Sequence, residues 1–136
     1  MIDVGSNAAK QELLDDLKQL NIGFKDIKSI ILTHNHYDHV ENLDLFKQAK
    51  VYSSENTDEL EKDIHDFQIL KLPGHTPEDI AIIYGDVLFS GDIIFDKNHH
   101  YIGRNDLPES NPEEQKKSLE KLKKINYNIL CAGHLI

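Results

Sequence analysis

Apolar positions in this chain gather into short runs: Ile30-Ile31-Leu32, Phe67 to Leu72, Val87-Leu88-Phe89 and Ile129-Leu130-Cys131. Runs of this length bounded by turn residues read as buried strands, and the pattern predicts strands near 28–33, 50–53, 67–72, 79–84, 86–90 and 128–132. Two stretches switch to helical spacing. Leu13, Leu14, Leu17 and Leu20 share one helix face, with Asn7 placed to cap it. Leu119, Leu122 and Ile125 form a second stripe behind Asn111, Pro112 and Glu113-Glu114, which supply a cap, a proline at the first helical position and an acidic first turn. A short helix from His39 to about Gln48 is also expected. Strands alternating with helices argue for an α/β fold.

Size changes this picture little: 136 residues predict a single domain spanning 1–136, able to bury roughly two-thirds of its unfolded surface. No linker, biased tract or repeat interrupts it. The longest apolar run falls well short of the ~20 residues that span a bilayer, and the first residues lack a signal-peptide layout, so no membrane association is expected. One cysteine excludes an internal disulfide and fits a cytoplasmic protein. Cys131 alternates along an apolar stretch and is expected as a buried core thiol.

Charge narrows the partners. Twenty-four acidic against fifteen basic residues give −9, the wrong sign for a groove that tracks phosphate backbones, so nucleic acid is disfavoured and a small-molecule substrate is expected. Lys116, Lys117, Lys121, Lys123 and Lys124 read as the solvated face of the second amphipathic helix.

The candidate chemistry sits where the strands end. Thr33-His34-Asn35-His36-Tyr37-Asp38-His39 follows the first apolar run, and His75, Asp92 and His134 each follow a later one. Five of the eight histidines therefore stand at strand exits. Imidazole and carboxylate suit zinc, iron or manganese, and distant segments each delivering one such group are what a metal site assembled by the fold requires. His65 reads as a solvated loop residue. His99 and His100 are expected on an exposed loop near the metals. No nucleophile elbow and no phosphate-cradling glycine loop offers a competing mechanism.

His-x-His-x-Asp-His, then Gly-His, Gly-Asp and Gly-His in that order, together with the opening Asp3-Val4-Gly5 turn, resemble the metallo-β-lactamase superfamily. The resemblance implies an αββα sandwich of two mixed sheets with metals at one edge. It implies two divalent ions, zinc first, with iron or manganese as alternatives. One would be held by His34, His36 and His75, the other by Asp38, His39 and His134, with Asp92 bridging. Asp38 and Asp92 then act as catalytic carboxylates by holding a metal-bound hydroxide nucleophile rather than as an acid/base pair.

Gly103-Arg104-Asn105-Asp106-Leu107-Pro108, Ser118-Leu119-Glu120-Lys121-Leu122 and Leu72-Pro73-Gly74-His75-Thr76-Pro77 are similar to segments of glyoxalase II-like hydrolases, which points to a thioester or related ester. Family members normally carry several strands before the Asp-x-Gly turn, so the N-terminal sheet is expected to be incomplete, with a homodimer covering its edge. Two rival readings use the same ligands. One is a persulfide dioxygenase-like enzyme with a single iron on His34, His75 and Asp92; the other is a non-catalytic, metal-stabilised partner subunit.

Overall fold

In the computed structural model, described here for residues 1–134, two β-sheets lie between outer helices. The larger sheet holds β3 (Phe67–Lys71), β4 (Ile80–Tyr84), β5 (Val87–Gly91) and β6 (Ile129–Ala132), in that spatial order. β4 is antiparallel to both neighbours, and β5 and β6 are parallel. The smaller sheet pairs β1 (Ser29–Ile31) with β2 (Lys50–Tyr52) in parallel. Ile2 adds a parallel bridge to Ile31 on its far side. The α/β sandwich expected from the sequence is present, with the smaller sheet reduced to parallel pairs among the described residues.

Period-two alternation explains why β4 reads as continuously apolar. Ala81 and Ile83 face a core with Leu72, Leu88, Ile94 and Leu122, whereas Ile80 and Ile82 face Ile31, Tyr52 and Leu60 between the sheets. A strand covered on both faces has no polar side to show. Helix α1 (Lys10–Gln19) closes the outside of the smaller sheet, and Leu17 packs with Val4, Ile30, Leu32 and Phe46. Leu20 is 67 % exposed and does not join that face. Asn7 does not cap α1: Ser6 Oγ accepts from the Ala9 amide at the head of a 3-10 turn, Asn7–Ala9, and α1 itself has no side-chain cap, while the Asn7 backbone amide donates to Glu41.

The helix expected from His39 to Gln48 is instead two short pieces, α2 (Tyr37–Val40) and a 3-10 turn, Leu43–Phe46. Between them, buried Asn42 donates through Nδ2 to the carbonyls of Val4 and Ser6 at 3.0 and 2.8 Å, which anchors the loop to the first segment. α3 (Thr57–Asp63) follows β2 and has no counterpart in the apolar pattern. α4 (Pro112–Leu122) begins where its cap predicts, with Asn111 Oδ1 accepting from the Glu114 amide at 3.1 Å. Its Leu122 is fully buried, with Leu119 and Ile125 packed around the same core.

β6 ends the larger sheet. Leu130 points into the α4 core, but Ile129 is 50 % exposed and Cys131 is exposed. The expectation of a buried thiol is therefore wrong: Cys131 faces the side where the smaller sheet does not reach. Among the described residues no helix is long and apolar enough to cross a membrane.

Candidate metal centre

Because β4 reverses between its neighbours, β3, β5 and β6 run the same way and their C-terminal ends share one edge. β1 ends against that edge, joined by the Ile80 amide donating to the Thr33 carbonyl at 2.9 Å. The loops leaving these four strands bring His34, His36, Asp38, His39, His75, Asp92 and His134 together. Gly91, at φ 51°, sits at a register irregularity just before Asp92. A Cβ there would lie 2.6 Å from Thr33 Oγ1, so the turn that delivers Asp92 needs glycine on both counts.

The seven groups form overlapping triads. His34, His36 and His75 offer nitrogens within 4.8 Å of one another, as do the ligand atoms of Asp38, His39 and His134, and those of His34, His39 and Asp92. Asp92 stands between: Oδ1 is 3.3 Å from His39 Nε2, and Oδ2 is 3.4 Å from His134 Nε2 and 3.8 Å from His75 Nε2. His134 Nε2 also lies 3.1 Å from Asp38. His134 is 46 % exposed, so the cluster opens to solvent on that side.

Proton positions test whether this cluster fits cations. The Arg104 carbonyl can only accept, so His75 Nδ1, 2.8 Å away, carries the hydrogen. Glu109 Oε1 accepts from His36 Nε2 at 2.9 Å. In neutral rings the remaining nitrogens, His36 Nδ1 and His75 Nε2, then face each other at 3.1 Å with a lone pair each, an arrangement that a cation between them relieves. His39 Nδ1 is tied to Asp3 at 2.7 Å, and Thr33 Oγ1 is 3.0 Å from His34 Nδ1. Among the described residues, His34 Nε2, His39 Nε2 and Asp92 Oδ1 are buried without a hydrogen bond. Orphaned polar atoms converging on one place are costly unless an ion binds there. The donor set fits two divalent cations.

Electrostatics separate the rings. Burial, reinforced by the charge of His39, pushes His34 down to about 3. Burial also opposes a charge on His39, but the Asp3 carboxylate hydrogen-bonded to Nδ1 and the Asp92 carboxylate facing Nε2 outweigh it and raise the group to about 10. Burial disfavours ionised Asp92, yet His39 and His134 hold its carboxyl below the usual range. His65 is exposed. His99 departs from expectation: it lines a separate hollow with Gly85, Asp86, Leu122 and Tyr127, beside the start of β5, at the opposite end of that strand from Asp92. His100 is exposed beside Asp96. Asp3 was legible only as part of a turn motif, and Glu109 carried no signal because its partner His36 lies 73 positions away.

A model of the metallo-beta-lactamase superfamily matches residues 1–54 and 48–134. A probable metallo-hydrolase of Methanocaldococcus jannaschii is 32 % identical over 144 residues, covering 98 % of this chain and 70 % of the relative. A hydroxyacylglutathione hydrolase of Haemophilus influenzae is 29 % identical over 98 % of this chain and 78 % of its own length. A protein crystallised in a di-iron-bound form superposes with a TM-score of 0.76 at 26 % identity, over 98 % of this chain and 80 % of that one. With four loops that bring histidines and aspartates to one sandwich edge, the chain belongs to the metallo-beta-lactamase superfamily of metal-dependent hydrolases.

Proposed function

We propose that this chain hydrolyses a thioester or a closely related activated ester at a dinuclear centre, with zinc as the native metal. The observation that carries the reading is Asp92, whose two oxygens face histidines of both outer triads. His34, His36 and His75 would hold one ion, and Asp38, His39 and His134 the other. Two ions there would polarise a substrate carbonyl and lower the pKa of water from about 15.7 to about 7.

The chain's own residues determine the rest. Asp92 fixes the separation of the two triads and faces the mouth beside exposed His134. Asp38 and Asp92 hold His134 from two sides and serve as ligands rather than as a proton-transfer pair. His99 lines a separate hollow and His100 is exposed beside Asp96, so neither joins the seven-residue cluster as a proton donor. A substrate whose leaving group departs unprotonated suits that arrangement. A thiol, with a pKa near about 8.5, leaves readily as the thiolate, and the similarity to hydroxyacylglutathione hydrolase supports the same class.

The test pairs elemental analysis of protein purified without added metal with a panel of thioester, lactone, β-lactam and phosphodiester substrates. Two zinc ions per chain and preferential thioester turnover are expected. A single iron with oxygen consumption on a persulfide would replace this reading with the mono-iron one. Metal uptake without turnover of any substrate would leave a stabilised partner subunit.

Assembly belongs to the same reading. Among the described residues Ile129 and Cys131 of β6 are exposed, and a second copy of the chain covers them in a homodimer. Light scattering across a dilution series measures it. A fully active monomer at every concentration counts against the dimer.

A further inference from the structure

A ligating imidazole has a second nitrogen, and whatever holds that nitrogen decides which way the other lone pair points. For His34, His39 and His75 the holders are Thr33, Asp3 and the Arg104 backbone. His36 differs. Its Nε2 is held by Glu109, whose side chain is 42 % exposed and belongs to an irregular segment between Asp92 and α4.

An exposed contact of this kind is often incidental, because ordering two side chains offsets most of the attraction. Here the backbone that carries Glu109 is already fixed. Arg104 accepts from His75, Ser110 Oγ donates to the His75 carbonyl at 2.7 Å, and the Asn111 amide donates to the Gly74 carbonyl at 2.8 Å. Buried Gln115 donates to the Gly103 carbonyl at 2.8 Å and accepts from Asn105 at 3.0 Å. Glu109 therefore meets His36 from a pinned segment, and little backbone freedom is lost in making the contact. The same segment holds both His36 and His75, whose facing nitrogens are 3.1 Å apart. Without an acceptor at Nε2, the His36 ring could place its hydrogen on Nδ1, where a metal lone pair is needed.

We propose that Glu109 is a positioning residue for the first metal position: by accepting from His36 Nε2, it keeps the Nδ1 lone pair aimed at the space shared with His34 and His75. This rests on the reading that these three histidines hold an ion. It assigns a task to a residue outside every motif in the sequence.

The experiment titrates the metal-free full chain, as wild type, Glu109→Ala and Glu109→Gln, with zinc against a chromophoric chelator, and records imidazole nitrogen NMR of each metal-free protein. Circular dichroism checks that the exposed substitution leaves the fold intact. One of two ions should bind about 10–100-fold more weakly in Glu109→Ala. Glu109→Gln, which keeps a carbonyl acceptor, should stay within a few-fold of wild type. His36 should show the Nε2–H form in wild type and Glu109→Gln and a mixture in Glu109→Ala. Unchanged zinc affinities in Glu109→Ala, or an unchanged His36 tautomer, would overturn the proposal. If wild type takes up only one ion, the dinuclear reading fails, and the inference is decided by whether Glu109→Ala weakens that ion.

Discussion

Asp3 accepts a hydrogen bond from His39 Nδ1 at 2.7 Å, and its carboxylate also accepts from the Thr33 amide and hydroxyl, each at 2.8 Å. One side chain of the first segment thus fixes both the strand end and the helix start that bracket the histidine cluster. Removing it leaves three donors without their acceptor, one of them on a buried ring. Asp3→Ala should destabilise the metal-free protein by about 3–5 kcal/mol, and Asp3→Asn, which retains one acceptor oxygen, by less. Urea denaturation at neutral pH measures both.

Asp92→Ala should leave the chain folded but reduce kcat/KM for a thioester by about 100-fold or more, since the residue joining the two triads is gone. His65→Ala, on an exposed position, should stay within about twofold of wild type. Equal losses in both variants would mean that the site is misplaced. Thermal melts separate that outcome from unfolding.

Gly133 touches the centre without offering it a ligand. A Cβ there would overlap Asp92 Oδ1 and lie 2.8 Å from His39 Cε1, so alanine must displace the carboxylate, the ring or the β6 exit. Gly133→Ala should weaken zinc binding by at least about tenfold, and chelator competition reads that change directly.

The pH response follows from His39. Its folded value, raised to about 10, lies above the unfolded 6.5. The imidazolium therefore stabilises the metal-free protein fully below about 6.5, and this contribution is lost as pH rises through about 10. An ion at Nε2 must displace that proton, whereas His34, held near 3, is already neutral at working pH. Zinc binding near pH 7.5 should release a proton, and zinc affinity should rise with pH. Calorimetry in buffers of different ionisation enthalpy counts the protons released.

Strand positions and the convergence of the seven His and Asp side chains were legible because both follow from local rules: apolar runs for β1 and β3 to β6, and chemistry at the residues that leave them. What stayed hidden depends on contacts across the fold. Asn42 breaks a helix to reach Val4 and Ser6, which no periodicity encodes. Cys131 alternates as a core residue should, yet sheet order leaves its face uncovered. His99 follows the Asp92 strand in sequence but lies with the β4–β5 turn in space. Glu109 has neither motif nor pattern, only a pinned backbone that happens to end beside His36.

The triad of Asp38, His39 and His134 closes only when β6 has taken its place beside β5, because His134 leaves the strand that completes the larger sheet. Neither sheet alone contains a complete second position. During synthesis His34, His36 and His75 are all present well before His134, so the first triad can assemble while the second still lacks a member. If an ion is held by this triad as proposed, its uptake reports that β6 has docked beside β5.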